Sequence, residues 1–120
     1  MSKRHLKDKE KATMKNKKEA KIVLAKLGPV VVKINDTVGK VENQPGCLPV
    51  YMVEALNACY VKMTRAKQVF EEVLKTGESP EKDGLSFKTI FEDIAHADEH
   101  SQDAETMLQI TKKRKVKAEA

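Results

Sequence analysis

The sequence predicts an all-α fold, a three-helix antiparallel (up-down-up) bundle with basic, partly disordered terminal extensions. Apolar residues recur at alternating spacings of three and four over three separate runs, the pattern of helices packed along a seam. Each run covers about 22 residues, roughly 32 Å of helix, and matched lengths leave no apolar stripe overhanging in water. Composition agrees. Charged residues make up 34% of the 120-residue chain and aromatic residues 4%, with no Trp. That mix suits a small helical bundle better than a β-sandwich or an α/β enzyme.

The first helix is expected over about 18–43, on Ala20, Leu24, Leu27, Val31, Ile34, Val38 and Val41. Gly28 and Pro29 interrupt it, yet the apolar phase does not slip across them. With Leu24 as heptad position a, Pro29 falls at f, the outermost position. A kinked helix that leaves one carbonyl to water is therefore expected, with a break as the alternative.

The segment "NQPGCLP" follows, with Pro45 and Gly46 suited to the central positions of a type II turn. Pro49 can open the second helix, about 49–76, because its missing N–H is not needed in the first turn. Met52, Leu56, Cys59, Met63, Ala66, Phe70 and Val73 form its seam. Gly77 ends it, and a polar loop of about nine residues leads to the third helix. Within that loop Ser79 precedes Pro80, which reads either as a proline-directed phosphorylation site or simply as a turn.

Ser86 is the expected N-cap of the third helix, about 86–111, with Leu85 and Ile90 as a hydrophobic staple. Its seam is Phe87, Ile90, Ile94, Ala97, Ser101, Ala104 and Leu108. The stretch Ala97–Ala104 buries little area, so that half of the bundle should be the weaker one. An apolar groove for a partner helix is one use of it, and close packing is the other.

Charge divides the chain into an acidic body between two basic arms. Residues 1–26 carry ten Lys/Arg and three Asp/Glu, a net of +7; residues 27–111 carry eight and fourteen, a net of −6. Residues 112–120 carry five and one, a net of +4. The domain reading follows as a basic arm over 1–17, the bundle over 18–111 and a basic tail over 112–120.

The tail "KKRKVK" resembles a monopartite nuclear localisation sequence. Lys112, Lys113, Arg114, Lys115 and Lys117, with Lys3 and Arg4 at the other end, are the candidate import or phosphate-contacting residues. Solubility alone is the plainer reading of such runs. The arms contain no aromatic residue for base stacking, and only Arg4 and Arg114 could make bidentate base contacts there. Any nucleic-acid binding should then be backbone-directed, weak and steeply salt-dependent.

Catalytic chemistry finds no footing in the sequence. His96 and His100 share a helix face at i and i+4, but Ala97 stands where a metalloprotease needs its glutamate. They remain weak metal candidates beside the plainer reading of a solvated acidic face. Carboxylate pairs such as Glu71–Glu72 diverge by about 100° on a helix and lack a cleft to share. Cys47 and Cys59, separated by roughly 18 Å of helix, lie too far apart for a disulfide. Cys59 reads as a core residue and Cys47 as a turn residue.

No stretch is apolar for the roughly 18 residues a membrane helix needs. The expectation is a non-catalytic interaction module without cofactor, in nucleus or cytoplasm, that binds another macromolecule. A protein partner comes first, a nucleic acid held by the two arms second, and a metal at His96/His100 third.

Overall fold

Three α-helices run the length of the protein: α1 (Lys3–Asn43), α2 (Val50–Thr76) and α3 (Phe87–Glu119). The computed structural model describes the backbone of residues 3–119 and the side chains of residues 9–111. All three helices pack on one another in an up-down-up arrangement, forming a rod of 78 × 20 × 19 Å.

The seams of α2 and α3 follow the predicted spacing, with Met52, Cys59 and Phe87 only half-buried against the core. Leu56, Met63, Ala66, Phe70 and Val73 are buried on α2, as are Ile90, Ile94, Ala97, Ser101, Ala104 and Leu108 on α3. On α1 the deepest line is rotated from the expected one. Ala20, Val23, Leu27, Ile34 and Thr37 are wholly buried, while Leu24, Val31 and Val38 sit half-buried on its flank. Because α1 touches both other helices it needs a stripe wider than a two-position seam.

Pro29 lies inside α1, which continues unbroken across it. It is exposed, and so is Ala25, whose carbonyl loses its i+4 donor to the proline ring and is left to water. At the first turn Cys47 N–H donates to Gln44 O at 3.2 Å and Gly46 takes φ 82°, as a type II turn requires. Pro49 stands one position earlier than expected. It is the N-cap of α2, with φ −57° and ψ 147°, and its carbonyl accepts from Met52 and Val53.

The second connection is more ordered than a polar loop. Ser79 Oγ accepts from Glu81 N–H at 3.2 Å and caps a 3-10 turn, Pro80–Asp83, whose Pro80 is buried. Arg65 Nη2 donates to Asp83 O at 2.8 Å and ties the turn to α2. Ser86 Oγ then accepts from Lys88 N–H at 3.1 Å, the expected N-cap, with Ile90 in the core cluster and Leu85 half-buried against it.

The terminal extensions are helical over the described residues: the Lys- and Glu-rich N-terminal arm continues the first helix, so that α1 starts at Lys3, and α3 runs on to Glu119 where about 111 was expected. No Gly or Pro occurs in 1–27 or in 87–120, and both stretches are rich in Lys, Glu and Ala. These are strong helix formers, and each extension grows from a turn that the bundle has already nucleated.

The helices are staggered. Asn16 Nδ2 donates to Gly77 O at 2.9 Å, so the end of α2 lies level with Thr13–Asn16 of α1. Gly77, with φ 75°, leaves room for that crossing, since a Cβ there would collide with the Thr13 side chain. Residues 3–12 therefore project beyond α2. At the far end the Thr111 hydroxyl reaches Cys47 O at 3.3 Å, and residues 112–119 continue past the α1–α2 turn.

Candidate functional site

The thin stretch of α3 is closed by α1, so Ala97–Ala104 takes the close-packing alternative and leaves no groove there among the described residues. Ala97 and Ala104 are each 1% exposed. Small side chains let α1 approach, and the remaining space holds hydroxyls. Thr37 Oγ1 and Ser101 Oγ, both wholly buried, stand 2.8 Å apart. Thr37 Oγ1 also lies 2.9 Å from Lys33 O and 3.2 Å from Glu105 Oε1. A hydroxyl has one proton to give. If Thr37 donates to the Lys33 carbonyl, Ser101 donates to Thr37, and Glu105 takes its bond from Lys40 Nζ at 3.0 Å.

That lysine hydrogen bond, opposed by partial burial, holds the Glu105 carboxyl below its ordinary range. Lys33 Nζ completes the ladder, donating to Asp98 Oδ1 at 2.8 Å and Gln102 Oε1 at 3.3 Å. On α2, Lys62 pairs with Asp93 of α3 at 3.2 Å. Three lysines of the body thus spend their charge on carboxylates of α3.

Lysines toward the start of α1 are placed differently. Lys9, Lys11, Lys15, Lys18 and Lys21 are all exposed. Lys11, Lys15 and Lys18 follow i, i+4, i+7 and share one face of the helix. Among the described residues no carboxylate lies within ion-pairing distance of these three. Like charges at i,i+4 destabilise a helix by a few tenths of a kcal/mol, so the arrangement of the stripe, as distinct from the helix propensity of its residues, does not stabilise α1. Lys3, Arg4, Lys112, Lys113, Arg114, Lys115 and Lys117 lie on the helical extensions, with their side chains outside the described residues. The Lys112–Lys117 run was expected in an extended tail; its backbone is helical.

The two histidines are exposed on α3. The His96 ring lies 4.0 Å from Glu99, and no group of three His, Cys, Asp or Glu among the described residues could hold a metal ion. Cys47 and Cys59 are free thiols, each half-buried rather than exposed or fully in the core. Burial raises the Cys59 thiol above its ordinary pKa, partly offset by Lys62. Among the described residues no helix is long and apolar enough to cross a membrane.

Composition did not reveal one further surface. A groove of about 410 Å³ runs between α1 and α2 on the side away from α3, lined by Val31, Val32, Asn35, Tyr60, Thr64 and Lys67 among others. Val32 at its edge is 60% exposed, and Thr64 Oγ1 is buried without a hydrogen-bond partner.

No family model matches this chain, nor does any curated protein or any solved structure.

Proposed function

We propose that this chain is a non-catalytic helical interaction module whose basic helix extensions bind the phosphate backbone of a nucleic acid. The observation that carries the reading is the exposed Lys11–Lys15–Lys18 stripe on α1, without a described carboxylate partner, while Lys33, Lys40 and Lys62 of the body are paired with carboxylates of α3. A polyanion would supply the missing counter-charge. Binding would release counterions from the nucleic acid and depend strongly on salt.

The test is fluorescence anisotropy of a labelled duplex and a labelled single-stranded RNA over a salt series. The wild-type chain should bind with a steep salt slope. A Lys11→Gln, Lys15→Gln, Lys18→Gln variant should bind more weakly, with the slope reduced by about 2–3. Wild-type silence near physiological salt, or a variant indistinguishable from wild type, would overturn the reading.

A protein partner, the first expectation from the sequence, becomes the second reading, with the α1–α2 groove in place of the closed Ala97–Ala104 stretch. Exposed Val32 and the unpartnered Thr64 hydroxyl support it. The nuclear-import reading of Lys112–Lys117 is compatible with either, because a run outside the bundle core can leave its helix at low cost. A reporter fused to residues 109–120 should concentrate in nuclei, and substitution of the five cations by Gln should abolish that.

A further inference from the structure

The basic stretch of α1 and the basic stretch of α3 lie at opposite ends of a rod 78 Å long. Because α1 and α3 run parallel, the start of one and the finish of the other are as far apart as the fold allows. Between them lies the body, net −6 over residues 27–111, with Lys33, Lys40 and Lys62 already paired. From Lys21 to Asn43, level with the α1–α2 turn, is roughly 33 Å along α1. That is three to four Debye lengths at about 0.1–0.15 M salt, so the two basic ends act independently.

A duplex is stiff over about 500 Å. To touch both ends at once it would have to lie along the acidic body, against its charge. Resting on the nucleic-acid reading above, we infer that each end takes its own duplex and that one molecule bridges two double-stranded segments. The bridged partners are recognised by backbone charge alone, and unrelated sequences are joined equally well.

The experiment uses the full chain and two labelled duplexes of unrelated sequence, one biotinylated on beads and one fluorescent. Two variants accompany it: Lys9, Lys11, Lys15 and Lys18 all changed to Gln, and Lys112, Lys113, Arg114, Lys115 and Lys117 all changed to Gln. Circular dichroism checks that each keeps its helix content. The full chain should retain the fluorescent duplex on the beads. Each variant should still bind the bead duplex through its remaining end, while retention of the second duplex falls at least about fivefold.

Binding of the first duplex by wild type without retention of the second would overturn bridging and leave the nucleic-acid reading standing. Absence of duplex binding would overturn both. Retention of the second duplex by either variant at the wild-type level would also defeat the inference, because association between copies would then explain it. A parallel arm replaces the duplexes with vesicles containing phosphatidylserine. Clustering of vesicles without retention of duplexes would assign the ends to an anionic membrane surface instead.

Discussion

The two halves of the bundle are held together differently. Where α2 ends and α3 begins, the core is large and apolar: Leu27, Val23, Phe70, Val73 and Ile90 are all at most 2% exposed, and the Phe70 and Phe87 rings meet at 5.5 Å. Toward the α1–α2 turn, α1 meets α3 through Thr37, Ser101, Ala97 and Ala104, flanked by the Lys33 and Lys40 ion pairs. Burial of apolar area stabilises the first half without demanding direction. The second half also buries Ile34, Leu48, Leu56 and Leu108, but its α1–α3 contact depends on hydroxyls that must find each other, since a buried hydroxyl left unpaired costs about 1–3 kcal/mol.

The strongest challenge to this contrast is Phe70→Ala. It should destabilise the protein by about 3–5 kcal/mol in chemical denaturation, the cost of losing a buried ring and leaving a cavity. Phe70→Leu, at about 1–2 kcal/mol, gives a measurable value if the alanine variant does not fold. Thr37→Val comes next. It keeps the shape but strands the Ser101 hydroxyl, for a loss of about 1–3 kcal/mol; adding Ser101→Ala should restore much of that. A double-mutant cycle reads the coupling. Additive losses would show that the half relies on packing and that the hydroxyls are incidental.

Smaller changes refine the same contrast. Gly39 sits in the polar half of α1, and a Cβ added there meets nothing within 4 Å. Gly39→Ala should raise stability by about 0.5–1 kcal/mol through reduced freedom of the unfolded chain. The smallest effect is that of Glu105. Its pKa is lowered on folding, chiefly by the Lys40 hydrogen bond, so its stabilisation is present above the unfolded-state pKa near 4.5. That contribution is lost as pH falls through the lower folded value. Glu105→Gln should remove this part of the acid dependence, about 1 kcal/mol or less.

The apolar half was readable from the sequence because its residues announce themselves by hydropathy and spacing. The α2 and α3 seams, the Gly77 end and the Ser86 cap follow from local rules that the tertiary structure leaves intact. The polar half was not. Thr37 scores as a surface residue and Val38 as a core residue, yet Thr37 is wholly buried, because its partner Ser101 lies 64 positions away. Ser101 in the α3 seam was the available signal, since a buried hydroxyl implies a second polar atom facing it. The helical extensions were legible only in part. They carry few apolar residues, so periodicity is silent there and only residue propensity speaks. The unpaired lysine stripe could be suspected from charge counts, but its lack of described partners needed the rod and its stagger.

The ladder between α1 and α3 also fixes where the chain can change length. Its rungs join Lys33 to Asp98, Thr37 to Ser101 and Lys40 to Glu105, at near-constant offsets of 65, 64 and 65 residues. One residue inserted in α1 between Leu27 and Lys33 would rotate every later rung by about 100° relative to the apolar half and carry Thr37 off its partner. One inserted in the exposed tip of the Gly77–Ser86 connection would change the offset by one and disturb only the 3-10 turn, leaving the α1–α3 rungs in place. Homologues of this chain should therefore differ in length at that connection and hold α1 constant from Leu27 to Lys40.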